Sequence, residues 1–289
     1  MLRSKLPVFH IRLACLILTG QTTLAAQEAR TLSDHLSRNT RPGQSAPATY
    51  LPWELRLLLH RLQSRMSADG RRSIMALYAL GTECRARGAS ALHDEERRIW
   101  TDRLDDLGLR VAAELIEMGE FDAAGRHLHD MNSMHHSNQG LQRKALLQLR
   151  IGDIAAAEET MASMSAEVIA DDAGLAFRGL MQLSNGDYSA AVDTYAKAHA
   201  ARPHDVLVAN NYAVSLLYAG MISTAASLLE ALIDGEGTSP SPGVLFNLAT
   251  FYELATERAV DRKVRLVERV AARGPERGGW ERTGAEFKL

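Results

Sequence analysis

The sequence predicts an all-α protein, an array of stacked helical hairpins. Three observations predict it. A pattern of small and large residues recurs at a step of 34 residues through the second half of the chain. Each recurrence holds one glycine between two stretches of helical periodicity. The text is rich in alanine and leucine, with only 8 prolines in 289 residues and a 6% aromatic fraction, which favours helices over strands.

The repeat is clearest in "LAFRGLMQLSNGDYSAAVDTYAKAHAARP", residues 175–203. A step forward of 34 carries Gly179 to Ala213, Gly186 to Gly220, Ala191 to Ala225 and Tyr195 to Leu229. A step back of 34 reaches Ala145, Gly152, Ala157 and Met161, and a further 33 reaches Ala112, Gly119, Ala124 and Leu128. The glycine ends the first helix of each unit, where a left-handed residue is needed. The small residues before and after it let the two helices approach closely. This is the tetratricopeptide pattern. Its repeated residues are packing residues, because a solenoid needs them in every unit merely to stack.

Taken in chain order, "LPVFHIRLACLILTGQTTLAAQEARTL" (6–32) fits the same template, with Leu13 at the small position, Gly20 at the turn and Ala25 and Ala29 beyond. It also has the outline of a secretory leader cleaved after Ala26. His10 and Arg12 interrupt its apolar core, leaving only "LACLIL", shorter than the roughly 7–15 residues a leader needs. A first helix pair over 6–33 is therefore preferred. "SRNTRPGQSAPATY" (37–50) reads as a loop. Residues 51–95 read as irregular helices, with Pro52 at a helix start and a stripe of Trp53, Leu55, Leu58, Leu59 and Leu62. "DEERRIWTDRLDDLGLRVAAELIEMG" reads as a long helix with acidic residues at its start. About five regular units fill 105–272, the fifth opening with "SPGVLFNLATFYEL" and Ala249 at the small position. The whole of 6–272 is expected to form one solenoid, followed by a polar tail over 273–289.

Nothing in the sequence points to chemistry. The net charge of -2 gives no broad attraction to nucleic acid or anionic lipid. Cys15 and Cys84 stand in no metal-ligand or redox spacing. Phosphate-loop, dinucleotide, HExxH and GxSxG motifs are all missing. His127, His129, His135 and His136 cluster in "GRHLHDMNSMHHSNQ", but two histidines at i and i+2 leave a helix on different sides. The expectation is no enzyme, no metal, no cofactor and no small-molecule substrate. No run of about 18 uncharged apolar residues occurs, so no membrane insertion is expected either.

Binding by a surface remains. Stacked units line one face with first-helix residues: Gln142, Leu146 and Leu149, then Ala176, Leu180 and Leu183, then Asn210, Asn211, Val214, Leu217 and Tyr218. Some arrays of this type grip a C-terminal carboxylate with Lys and Arg on this face. Here the matching positions hold Gln142, Leu146, Ala176, Leu180, Phe246 and Thr250, so that clamp is absent. Asn210 and Asn211 either orient a partner or bridge neighbouring repeats.

"VANNYAVSLLYAGMISTAASLLEALI", "VLFNLATFYEL" and a terminal "FKL" resemble the C-terminal region of the TRAPP (trafficking protein particle) complex subunit 12 family. "IGDIAAAEE" and "LPVFHIRLACLILTGQ" are similar to other parts of that region, in the same order. The resemblance covers most of the chain and is most specific over 207–254. It implies a cytoplasmic, non-catalytic subunit of a vesicle-tethering complex working between endoplasmic reticulum and Golgi, with other TRAPP subunits as partners. The family's long acidic N-terminal segment has no counterpart here, and the tail "GPERGGWERTGAE" differs. The alternative is an exported or periplasmic tetratricopeptide interaction module behind a leader.

Overall fold

The hairpin turns are built by glycine. Gly20, Gly119, Gly152, Gly186 and Gly220 all have φ between 74° and 83°, the left-handed region that closes a helix. At Gly186 the closure is a Schellman arrangement, in which Gly186 N–H donates to the Leu183 carbonyl at 3.1 Å and Asp187 N–H to that of Gln182 at 2.9 Å. The aspartate after the glycine then starts the next helix. Asp187 accepts from Ala190 N–H and Asp153 from Ala156 N–H, both at 3.1 Å. One Gly-Asp dipeptide thus ends one helix and begins its partner.

The computed structural model describes residues 5–38, 51–67, 69–131, 137–165, 172–235 and 241–272. Among these residues there are fourteen helices and no strand. The loop expected at 39–50, two of the four clustered histidines (135 and 136) and the 273–289 tail lie outside the described residues. The chain divides into two compact units, Met1–Ile151 and Gly152–Leu289.

The first unit holds α1 (Leu6–Leu18), α2 (Thr22–Arg38), α3 (Trp53–Ser67), α4 (Gly70–Ser90), α5 (Asp94–Glu117), α6 (Phe121–Asp130) and α7 (Asn138–Arg150). Its opening pair is part of the core. Leu6, Leu13, Ala25, Ala26 and Ala29 pack with Leu55, Leu59 and Leu62 of α3. Four members of that cluster, Leu6, Leu13, Ala25 and Ala26, lie within the first 26 residues. Within residues 51–95 lie α3, of 15 residues, and α4, of 21, and the long helix read from Asp94 onward is α5, of 24 residues. Trp53 and Trp100 meet edge to face at 6.1 Å, with the Arg103 guanidinium over both rings. Beside them Arg56 donates to Glu83 and holds that carboxyl below the usual range.

The second unit holds α8 (Ile154–Ala162), α9 (Asp172–Ser184), α10 (Tyr188–Ala201), α11 (Val206–Tyr218), α12 (Ile222–Asp234), α13 (Pro242–Ala255) and α14 (Ala259–Ala272). Consecutive helices from α9 onward pack as neighbours, and α11 also touches both α9 and α13. The first helices α9, α11 and α13 therefore share one face. The core lies between them and the second helices, with Ala213, Leu229, Leu245, Leu248 and Phe251 among its fully buried members.

The small residue of the template has a visible purpose. A Cβ on Gly179 would lie 2.6 Å from the Tyr195 ring. Ala213 and Leu229 share one core cluster, as do Ala112 and Leu128. A small residue on the first helix thus receives a large one from the second. The opening pair inverts this, with Leu13 on α1 and Ala29 on α2, both fully buried in one cluster.

Candidate partner-binding face

Of the helices that share this face, α11 and α13 carry almost no charge, while α9 holds Asp172 and the half-buried Arg178. No charged residue occurs in α11, and the single one in α13, Glu253, accepts from Lys263 Nζ at 2.6 Å. Of the residues expected on this face, Ala176, Leu180 and Leu183 are half-buried on α9, and Asn210, Asn211, Val214 and Leu217 are half-buried on α11. Val214 and Leu217 also pad the core beneath. Tyr218 is exposed and stacks on Tyr188 of α10, with ring centroids 5.1 Å apart. Gln142, Leu146 and Leu149 lie on α7 in the first unit, Leu146 exposed and the other two half-buried.

Asn210 and Asn211 bridge repeats. Asn247 Nδ2 on α13 donates to Asn210 Oδ1 at 2.8 Å. Asn210 Nδ2 donates to Asn211 Oδ1 at 3.5 Å, the longest link. Asn211 Nδ2 donates to Tyr195 Oη on α10 at 3.3 Å. Tyr195 Oη donates to the Ala176 carbonyl on α9 at 2.9 Å. The four bonds run in one direction across four helices, so each polarises the next. Burial pushes the Tyr195 phenol up to about 12, which keeps its proton available to Ala176.

Asn247 and the exposed Leu207, Phe246 and Leu254 extend the face beyond the residues singled out from sequence. The signal for Asn247 is present: "NNY" at 210–212 and "FNL" at 246–248 both place asparagine just before an inward-packing residue.

Behind the face, His199 of α10 packs against the Tyr212 ring at 5.9 Å, and its buried Nδ1 has no hydrogen-bond partner. Burial lowers its pKa from 6.5. Above 6.5 both folded and unfolded chains carry a neutral His199. As pH falls through 6.5 the unfolded chain takes up the proton first, and stability declines until the lower folded pKa is passed. The urea midpoint of the protein should therefore drop between pH 7 and pH 5, and His199→Phe should flatten that part of the profile.

Among the described residues no group of three or more His, Cys, Asp or Glu could hold a metal ion. Among them, too, no helix is long and apolar enough to cross a membrane. His127 Nε2 lies 3.0 Å from the Gly108 carbonyl, an interhelical bond.

No protein-family model matches the chain. It is 26% identical over 249 residues to human trafficking protein particle complex subunit 12, covering 77% of this chain and 34% of that protein. It is 38% identical over 72 residues to the mouse subunit 12, covering 25% of this chain and 9% of that protein. The chain thus spans about a third of the length of the human protein it matches, and the relationship is a distant one. Among solved structures, a tetratricopeptide repeat protein from Parabacteroides merdae ATCC 43184 superposes with a TM-score of 0.56 at 11% identity, over 96% of this chain and 97% of that one. The fold is an all-α tetratricopeptide solenoid. Neither likeness is to an enzyme.

Proposed function

We propose that this chain, similar over 77% of its length to a TRAPP subunit, is a non-catalytic scaffold of a TRAPP-type vesicle-tethering assembly. In this reading it works in the cytoplasm at the membranes between endoplasmic reticulum and Golgi, and its partners are other subunits of the assembly. The observation that carries the reading is that similarity. The shared face of α9, α11 and α13 supports it. Its amides are engaged with one another, its α11 and α13 parts carry almost no charge, and it exposes Leu207, Tyr218, Phe246 and Leu254. A surface of that kind gains more from meeting apolar side chains than from meeting a charged ligand.

The test is affinity purification of the C-terminally tagged chain from its own cells, with mass spectrometry of what accompanies it. TRAPP subunits should co-purify, and Leu207→Glu with Tyr218→Glu should cut their recovery at least about tenfold while circular dichroism stays unchanged. A wild-type chain that brings down no TRAPP subunit overturns the trafficking role. Full recovery with the double variant moves the contact off this face.

A further inference from the structure

Helix α4 carries two seams, and its own unit uses only one. Along one side it packs against α5 and α3, where Leu77 and Cys84 enter the cluster around Trp53 and Trp100. Another side repeats in sevens, with Arg71, Tyr78 and Arg85 in one column and Met75, Thr82 and Ala89 beside it. All six are exposed, Met75 at 68% and Tyr78 at 45%. Thr82 Oγ1 donates back to the Tyr78 carbonyl at 3.0 Å, so that hydroxyl is satisfied within the helix. Residues spaced in sevens keep to one side of a helix, the pattern by which helices seat side by side.

The charge on the exposed seam has one sign. The one acid of α4, Glu83, is engaged by Arg56 at 2.5 Å and by Arg87 at 3.1 Å. Arg71, Arg72 and Arg85 are exposed, and among the described residues no carboxylate pairs with them. The undescribed residues of this chain do not supply what is missing. Those of the first unit, 1–4, 39–50, 68 and 132–136, include no Asp or Glu. In the second unit, 166–171 and 236–240 are too short, even fully extended, to run along a seam of about 27 Å. In 273–289 the Lys and Arg side chains outnumber the Glu ones, four to three. A second copy of the seam would set arginine against arginine.

We propose that this seam of α4 docks an amphipathic helix of another protein, whose Asp and Glu side chains meet Arg71 and Arg72 at one end and Arg85 at the other. Charge complementarity selects this occupant. Arg71 and Arg85 stand 14 residues apart, about 21 Å along the helix, so the partner carries acidic residues at both ends of an apolar stripe. Met75 and Tyr78 meet the middle of that stripe, with the exposed Ala79 between their turns allowing close approach. Charged residues flanking an apolar seam set the choice and direction of the partner helix more than its raw affinity. This surface is distinct from the face of α9, α11 and α13, and the proposal goes beyond the trafficking role.

The probe is a fluorescent helical peptide of Leu, Ala and Glu, about 21 residues long, with Glu flanking its apolar stripe. Its control is the same peptide with Gln for Glu. By anisotropy on the full chain, the Glu peptide should bind at least about tenfold more tightly, and salt should erode the difference. Arg71→Glu with Arg85→Glu should abolish that preference while circular dichroism stays unchanged, and Arg71→Gln with Arg85→Gln should reduce it. In the protein's own cells, p-benzoylphenylalanine in place of Ala79 should cross-link to an Asp- and Glu-bearing helical segment of another polypeptide. The charge-reversed chain should lose that product. Equal binding of the two peptides overturns the proposal. So does a cross-link to this chain's own sequence, whether by fold-back or from a second copy, and so does the absence of any cross-link. Neither measurement depends on whether TRAPP subunits co-purify.

Discussion

Replacing Gly179 by alanine will destabilise the protein by about 1–3 kcal/mol, although alanine is the better helix former. The added Cβ would sit 2.6 Å from Tyr195 Cε2 and 2.8 Å from Cδ2 and Cζ. The ring cannot yield easily, because it is fully buried and its hydroxyl is tied to Ala176 on one side and Asn211 on the other. In a Tyr195→Leu background the result should change sign. Leucine stands at that position in the next repeat, as Leu229 opposite Ala213. There Gly179→Ala should be neutral or stabilising by up to about 1 kcal/mol, as helix propensity alone dictates. The measurement is a double-mutant cycle in urea, and additive effects would refute the clash. Gly108→Ala is the control. Its Cβ meets the far end of the flexible Met131 side chain, at 2.6 Å from Cε, and the thioether can swing aside.

Leu13→Ala should cost about 2–5 kcal/mol, the range for emptying a fully buried leucine site. The side chain is 0% exposed and packs among Ala25, Ala26 and Ala29 of α2 and the leucines of α3. Ala29→Leu alone should also destabilise, by about 1–3 kcal/mol, because it forces a second large residue into the same space. The double variant Leu13→Ala with Ala29→Leu restores the small-first, large-second order of the other repeats and should recover more than half of the larger loss. Urea midpoints by circular dichroism decide this. A Leu13→Ala protein as stable as wild type would mean that the opening segment is not part of the fold.

The hairpins were legible because their determinants are local. A glycine at the end of the first helix and small residues on either side of it recur at a nearly fixed step. The opening pair could be placed by the same template even with Leu13 at the small position. The meaning of that misfit emerged only once Ala29 was seen opposite. The role of Asn210 was not legible, because its acceptor oxygen meets Asn247, 37 residues away across an interval that departs from the 34-residue step. A side chain that bridges two helices looks, in sequence, like one that awaits a ligand.

The amide ladder restricts how such an array can be lengthened by duplication. Asn210 Oδ1 needs a donor from the next first helix, and Asn247 supplies it. A tandem copy of residues 206–240 would present Asn211 at the Asn247 position and preserve the bond. A copy of residues 172–205 inserted at the same point would present Phe177 there, leaving a half-buried amide unpaired at about 1–3 kcal/mol. Two hairpins that look interchangeable by their glycines and alanines are therefore not interchangeable as genetic cassettes. The order of repeats is written in a single pair of asparagines.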